Sequence, residues 1–440
     1  FPLYPWLIAL TSKVFGIHDV FGRLWSLLFS IGTLFFFFRL ARENLSEYAS
    51  IGAFAFFAFN PLILQASTAV QPEALMMLAY VAAAYYFLRW VREDLDHDLW
   101  FAAAATAMAL LAKATAAHIG ILFAVLLFQK YGFSLFTKWR AWVFGAIAVV
   151  PAAAWYVHAH SLWTTFGNSL GVSNEYHWVG PDLFTNSYFI TGILRIEAVY
   201  VWVVFGVAVG LLGAFNARGK AVTRIALIWL ASALLFYIVT ARTSADDWAS
   251  YYHLFSVPAA ALLFGAGLTS IFDLLRSWAD NFSKHALISN LARLSIPVVL
   301  ILAVIATFLA EGRNARSEIL EHRRPDPSFQ FAADLSPKLA KPGLILVSGG
   351  SCTDDDGYPV AYNASFMFYW LDRKGSNICV QDQSIAAVKQ FAAENYKYFI
   401  AERLYVAKPP GLEPELHANY LSIAENDDYE VFDLTSGVTR

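Results

Sequence analysis

Long apolar runs alternate with short polar stretches over the first three quarters of the chain. A helix that crosses about 30 Å of hydrocarbon needs about 20 mostly apolar residues. This pattern predicts a mainly α protein, a polytopic bundle of transmembrane helices. The runs of suitable length are residues 20–40, 48–67, 72–90, 141–158, 192–214, 222–240, 250–271 and 294–311.

The stretch Leu99–Phe128 decides the number of spans. Its 30 residues would rise about 45 Å as one helix, which is too long for one upright span and short for two. Two short helices that turn at Lys113 give about ten spans and place 13 of the 18 Lys and Arg of residues 1–311 in loops on one side. A single span would reverse every later loop and destroy this bias. The positive-inside rule therefore favours two helices in the cytoplasmic (inner) membrane, with the basic side cytoplasmic.

Two flanking regions do not span. Leu3–Phe15 is an apolar segment of 13 residues closed by Gly16, which predicts a helix over residues 1–16 that lies in the outer interface. Residues 17–311 form the transmembrane region, and residues 312–440 form a small soluble α/β domain outside the cytoplasm. The elements predicted in this domain are strand Leu344–Val347, helix Asn363–Asp372 closed by Gly375, strand Ile378–Val380, helix Ser384–Glu394, and strands Tyr398–Ile400 and Tyr429–Leu434.

Composition supports this division. Apolar residues make up 58% of the chain and charged residues 15%, against about 45–50% and about 25% in soluble proteins. These values exclude a cytosolic enzyme and a disordered protein, and a net charge of −3 without a basic stripe excludes a nucleic-acid binder. Cys352 and Cys379 both lie in the outward domain, where they could form a disulfide or stay as two free thiols. An even count in an oxidising compartment favours the disulfide.

Few charged residues face outward, and charge near hydrocarbon is costly. Glu73 follows Pro72 at the start of a helix, where it either stabilises the helix start or points a carboxylate into an outward cavity. Each outward cation could simply pair with lipid phosphate. Together they predict a basic vestibule that holds a lipid phosphate and stabilises its charge as it departs. These candidate binding residues are Arg23, Lys113, Arg195 and Arg242.

Aromatic residues accompany these charges. Tyr251, Tyr252 and His253 combine ring faces with hydrogen-bonding groups, which suits sugar rings but equally suits the aromatic belt of a membrane protein. His253 could relay protons or bind phosphate, or it could be a structural partner of a backbone carbonyl. No zinc spacing, phosphate loop or nucleophile elbow is present, and we predict neither a metal nor another cofactor.

Several motifs together resemble the glycosyltransferase family 39-like membrane enzymes, which are related to protein O-mannosyltransferases and to the lipid A aminoarabinose transferase and share the C-type fold. The resemblance extends over roughly residues 1–310. Its motifs are Phe1-Pro2-Leu3-Tyr4-Pro5-Trp6, Val14-Phe15-Gly16-Ile17-His18, Gly22-Arg23-Leu24, Asn60-Pro61, Gln71-Pro72-Glu73-Ala74-Leu75, Leu110-Leu111-Ala112-Lys113, and Tyr251-Tyr252-His253-Leu254 with Pro258.

The resemblance implies sugar transfer from a polyprenyl-phosphate donor to a lipid, glycan or protein acceptor at the outer face of the membrane. It matches Arg23 and Lys113 by motif to cations that hold the carrier phosphate, whereas Arg195 and Arg242 match only by side and depth. The family's principal catalytic acid lies after an earlier span, upstream of Phe1. We therefore expect an N-terminally truncated, inactive piece in which Glu73 is a supporting carboxylate. The alternatives are a membrane transporter and a catalytically inactive membrane scaffold.

Overall fold

The computed structural model describes residues 2–166, 183, 185–216, 221–239, 241–282, 287–320, 327–353 and 365–437. The chain forms two compact units. The first is helical and ends at residue 321, and the second contains helices and strands and begins at residue 322.

The helical unit is built almost entirely from α-helices. They are α1 (Leu3–Phe15), α2 (Asp19–Asn44), α3 (Glu47–Ala58), α4 (Pro61–Thr68), α5 (Glu73–Glu93), α6 (Asp96–Ala112), α7 (Ile119–Tyr131), α8 (Trp139–Phe166), α9 (Ser187–Ile196), α10 (Gly206–Asn216), α11 (Ala221–Val239), α12 (Val257–Phe282) and α13 (Leu287–Leu320). Shorter 3₁₀ segments lie at Ala114–His118, Gly132–Thr137, Ala241–Ala245 and Asp247–Ser256, and a π-helical turn lies at Glu197–Val201.

The helical unit is that of a multi-pass membrane protein. In the described part of the chain, seven helices are long and apolar enough to cross a membrane, or nine segments if each of two bent helix pairs is one span. The 17-residue α6 is shorter than these. Each segment predicted from the sequence corresponds to a helix or a bent pair, so the fold class is confirmed, and the number of crossings stays a prediction. The predicted break at Lys113 is also confirmed, because α6 ends at Ala112.

Two predicted spans are bent rather than straight, by 54° between α3 and α4 and by 98° before α10. The first bend follows from Asn60 and Pro61: the Asn60 side chain accepts a hydrogen bond from the Leu62 N–H, and proline suits the first helical turn. The Asn60 amide also donates to the carbonyls of Tyr200 and Val201, at 3.1 and 3.0 Å. One bend is therefore hydrogen-bonded to the other.

Helices α5 and α12 lie at the centre of the helical unit, and small residues let their neighbours approach closely. A Cβ atom at Gly267 of α12 would overlap the Val209 carbonyl of α10, and one at Gly213 of α10 would overlap the Leu263 carbonyl of α12. Small residues at crossings of this kind are typical of helix packing in membranes.

The second unit is a small α/β domain, as predicted. Its sheet has the order β2-β1-β3-β5-β4, in which β2, β1 and β3 are parallel and β5 and β4 are antiparallel to their neighbours. Apolar side chains pack on both faces of the sheet. The elements are α14 (Pro327–Leu335), β1 (Leu344–Ser348), α15 (Ser365–Trp370), β2 (Gly375–Ile378), α16 (Ile385–Ala393), β3 (Tyr396–Glu402), α17 (Arg403–Val406), α18 (Leu412–Asn419), β4 (Tyr420–Glu425) and β5 (Tyr429–Gly437).

The boundaries predicted around Gly375 were wrong, because strand β2 spans Gly375–Ile378 and not Ile378–Val380. Gly375 begins β2 and does not close the preceding helix; a Cβ atom there would overlap the Ile345 carbonyl of the neighbouring strand. Neither α18 nor β4 was predicted from the sequence. For β4 the reason is its position at the edge of the sheet, where its residues are mostly half-buried. Cys352 and Cys379 form a disulfide with a Cα–Cα distance of 5.4 Å.

The close crossing of α10 and α12 predicts a large difference between two glycine substitutions. Gly267→Ala should destabilise the protein by about 1–3 kcal/mol through overpacking, and its thermal unfolding midpoint in detergent should fall. Gly145 of α8 is the matched control, because a Cβ atom there meets nothing within 4 Å. Gly145→Ala should leave the midpoint unchanged or raise it, since alanine favours helix by about 1 kcal/mol over glycine. Equal midpoints for the two variants would contradict this packing.

Candidate functional site

Lys113 lies at the break between α6 and the following 3₁₀ turn, where its backbone is extended. A buried network holds this turn in place. The His118 Nδ1–H donates to the Thr115 carbonyl at 2.7 Å, so His118 Nε2 accepts from the Tyr80 hydroxyl at 2.9 Å. Trp229 donates in turn to the Tyr80 oxygen at 2.7 Å. Helices α5 and α11 thus fix the segment that presents Lys113.

The Lys113 ammonium forms an ion pair with Glu73, the first residue of α5. The distance from Nζ to Oε1 is 2.6 Å, and the two side chains are only 12% and 6% exposed. The other carboxylate oxygen of Glu73, Oε2, is buried and accepts no hydrogen bond from any residue that the structure describes. An acceptor that is buried without a donor is costly. This oxygen therefore lacks a hydrogen-bond donor among the described residues.

Two tyrosine rings cover the same ammonium. Its nitrogen lies 4.1 Å from the ring centroid of Tyr251 and 4.7 Å from that of Tyr252. An ammonium has three N–H donors, and within the described ranges Glu73 is the one hydrogen-bond acceptor that Lys113 meets. Lys113 therefore keeps N–H donors that a further anion could accept from, next to ring faces suited to a cation or a sugar.

His253 is fully buried. Its Nε2–H donates to the Ser244 carbonyl at 2.8 Å, and its Nδ1 lies 2.8 Å from Glu197 Oε1. The ring also stacks on Tyr237, with centroids 4.1 Å apart. Of the two alternatives weighed from sequence, the structure thus favours a structural partner of a backbone carbonyl. His253 anchors the segment that presents Tyr251 and Tyr252, and we do not place it in contact with substrate.

Of the other predicted cations, Arg23 and Arg195 have partners other than Lys113. Arg23 is exposed near the start of α2 and donates to the Thr68 carbonyl at 3.2 Å, at the end of α4 and five residues before Glu73. Arg195 pairs with Asp247 at 3.0 Å. The side chain of Arg242 lies outside the described part of the structure. The structure therefore brings together Lys113, Glu73 and the tyrosine pair, with Arg23 at the adjoining helix ends.

Tyr4 is a residue of this region that the sequence analysis missed. Its hydroxyl donates to the Gly22 carbonyl at 3.1 Å and lies 2.9 Å from Ser26 Oγ. It also lies beside the Gln71 backbone and within electrostatic range of Glu73. Tyr4 therefore connects α1 and α2 with the start of α5. The motif Phe1–Trp6 includes Tyr4, but the sequence does not show that its hydroxyl meets Gly22 and Ser26 of α2.

Two groups of side chains in the α/β unit have spacings compatible with a metal ion. One is the disulfide pair Cys352 and Cys379 with Asp382, and the other is Glu413, His417 and Glu430. Cysteines joined to each other offer no thiolate ligands. In the second group the Arg403 guanidinium already pairs with Glu413 at 3.3 Å and with Glu430 at 3.4 Å. A second cation there would be repelled by this arginine.

The buried ion pair predicts strong coupling between two substitutions. Lys113→Met and Glu73→Gln should each destabilise the protein by about 3–5 kcal/mol, because each leaves its partner buried and unpaired. The double variant should cost clearly less than the sum of the two single ones. Thermal unfolding in detergent measures all three.

The half-exposed pair Arg140–Asp96, at 3.0 Å, is the control for this cycle. Its single substitutions, Arg140→Gln and Asp96→Asn, should each cost about 1 kcal/mol or less. Strictly additive losses at Lys113 and Glu73 would show that the two groups are not paired in the folded protein.

Comparisons with known proteins agree with the motifs. Residues 2–158 match the family model of dolichyl-phosphate-mannose-protein mannosyltransferases. No curated protein matches the chain. The fold resembles that of ArnT from Cupriavidus metallidurans, with a TM-score of 0.62 and 12% identity in the apo state, over 98% of this chain and 87% of that one.

Two further solved structures extend this likeness. ArnT bound to undecaprenyl phosphate matches with a TM-score of 0.60 and 14% identity, over 98% of this chain and 87% of that one. The arabinofuranosyltransferase AftD from Mycobacteria, as the mutant R1389S in class 2, matches with a TM-score of 0.54 and 13% identity, over 97% of this chain and 36% of that one. The resemblance to the glycosyltransferase family 39-like membrane enzymes is thereby confirmed, by the family model over residues 2–158 and by the C-type fold of the chain.

Proposed function

We propose that this protein transfers a sugar from a polyprenyl-phosphate donor to a hydroxyl group of a lipid, glycan or protein acceptor at the outer face of the cytoplasmic membrane. The observation that carries the proposal is the cluster of Lys113, Glu73, Tyr251 and Tyr252. Within the described residues, it offers unused ammonium donors, a carboxylate oxygen without a hydrogen-bond donor, and two ring faces. A sugar phosphate can use all three partners. Its phosphate accepts from the ammonium, a sugar hydroxyl donates to the carboxylate oxygen, and the sugar ring packs on the tyrosine faces.

The cluster suits the leaving group of this reaction. An oxygen of the acceptor forms a bond to the anomeric carbon, the bond between that carbon and the phosphate oxygen breaks, and the proton of the acceptor hydroxyl is released to solvent. The polyprenyl phosphate departs with one additional negative charge. Lys113 is a fixed positive charge that stabilises this phosphate, and its effect is large because the site is buried and poor in water.

The other residues around Lys113 have separate roles in binding the donor. The pair with Glu73 fixes the position of the ammonium, and Glu73 Oε2 accepts a hydroxyl of the sugar. Tyr251 and Tyr252 pack against the sugar ring. Arg23 lies at the adjoining helix ends and contributes a planar guanidinium, which can hold phosphate through two hydrogen bonds once it leaves the Thr68 carbonyl.

The family model and the ArnT complex support this proposal. The matched residues 2–158 contain Arg23, Glu73 and Lys113. ArnT, which shares the fold, has been solved with undecaprenyl phosphate bound. The acceptor class, the outward orientation of the site and the roles of single residues belong to the proposal.

Substitution of the cations tests it in the full-length protein. Cells that lack the protein should accumulate carrier-linked sugar, detectable by mass spectrometry. Complementation with Lys113→Ala or Arg23→Ala should leave most of this accumulation. Loss of one charge-assisted hydrogen bond, worth about 1.5–3 kcal/mol, should slow transfer about tenfold to a hundredfold.

Arg276→Ala is the control, because Arg276 is an exposed cation near the end of α12 and away from the cluster. This variant should restore normal levels of the carrier-linked sugar. Protein amounts in the membrane must be equal for all variants. Full complementation by both Lys113→Ala and Arg23→Ala would refute the proposed phosphate site.

A further inference from the structure

A cavity of about 170 Å³ lies at the other end of the helical unit from Lys113. The C-terminal ends of α2, α5 and α7 and the N-terminal end of α11 surround it. Its polar lining residues are Asn44, Arg92, Gln129 and Arg224. The positive-inside rule predicts that these helix ends face the cytoplasm. The cavity therefore lies far from the cluster around Lys113 and Glu73.

Three of the four helices present the negative ends of their dipoles here, and cations of the chain already neutralise two of them. Arg92 donates to the backbone carbonyl of Glu43 at 3.3 Å and pairs with its carboxylate at 2.5 Å. Lys130 donates to the carbonyls of Trp90 and Val91, at 3.3 and 3.1 Å. The C-terminal carbonyls of α2 and α5 thus repel an incoming anion only weakly.

Arg224 is different from these cations. It is exposed in the first turn of α11, and it forms no ion pair with any residue that the structure describes. The N-terminal N–H groups and the positive dipole end of α11 lie in the same turn. Among the described lining residues, Arg224 is therefore a positive charge without an ion-pair partner at the rim of the cavity, accompanied by the side-chain amides of Asn44 and Gln129.

The rest of the cavity wall is apolar. Leu88 and Val91 of α5, Leu126 of α7, and Ile225 and Ile228 of α11 line it. A free phosphate would use Arg224 and leave this wall in water. A membrane lipid with an anionic headgroup would use both, because its phosphate binds the cation and its acyl chain covers the wall. Basic pockets between transmembrane helices are sites of this type.

We propose that this cavity binds one anionic phospholipid of the cytoplasmic leaflet. The headgroup phosphate pairs with Arg224 and accepts hydrogen bonds from the Gln129 amide and from the second N–H of the Asn44 amide, whose first N–H donates to the Leu40 carbonyl at 2.7 Å. An acyl chain lies along Leu126 and Ile228. The bound lipid joins the ends of α2, α5, α7 and α11. This binding does not depend on the activity proposed above.

Native mass spectrometry of the full-length protein tests the proposal, with lipids supplied at equal concentration. Dioleoyl-phosphatidylglycerol is the anionic probe, dioleoyl-phosphatidylcholine is the zwitterionic one, and inorganic phosphate is the free anion. The protein should retain phosphatidylglycerol at least fivefold better than phosphatidylcholine. Arg224→Gln should abolish most of this preference. Ile228→Trp, which fills the cavity without changing charge, should reduce binding of phosphatidylglycerol to a similar extent.

Arg276→Gln removes an equal charge at an exposed site on another helix and should leave lipid binding unchanged. Thermal unfolding shows whether each variant is folded. Three results would overturn the proposal: phosphatidylglycerol binding that is the same in Arg224→Gln and the unsubstituted protein, equal retention of phosphatidylcholine, or full displacement of the lipid by inorganic phosphate at equal concentration.

Discussion

The arrangement of the helical unit depends on keeping one lysine charged among apolar helices. A buried ammonium requires a partner, and Glu73 supplies it at 2.6 Å from the start of α5. To bring the two groups together, the chain must interrupt α6–α7 at Lys113 and begin α5 at the same level. The rings of Tyr251 and Tyr252 then replace water around the ammonium. Burying these charged groups costs free energy, and binding of an anionic ligand to the ammonium offsets this cost.

Two polar networks around the cluster explain how it stays in place. The hydrogen bonds of His118 to Tyr80 and Thr115 fix the turn after Lys113. Those of His253 to Glu197 and Ser244 fix the segment that contains the tyrosine pair. Both histidines use both ring nitrogens, so each connects segments that are distant in sequence. The bends of the helical unit are therefore specified by side chains and are not failures of helix formation.

Hydropathy and the distribution of basic residues were enough to predict the helical fold, its break at Lys113 and the separate α/β unit. The pairing of Glu73 with Lys113 could not be predicted, because the residues are 40 positions apart and pairing depends on how α5 packs against α6. The same limit explains His253, whose burial depends on Glu197 in the π-helical turn, and Tyr4, whose partners belong to α2. Sequence patterns locate elements, whereas packing decides which side chains meet.

The central claim is that a phosphate of a polyprenyl carrier binds at Lys113. An electron cryo-microscopy structure of the full-length protein with added polyprenyl phosphate tests it most directly. The account predicts phosphate density within hydrogen-bonding distance of the Lys113 ammonium, with Tyr251 and Tyr252 beside it and the Arg23 guanidinium turned toward it. Phosphate density at another place on the helical unit, with the Lys113–Glu73 pair unoccupied by any ligand, would contradict the account.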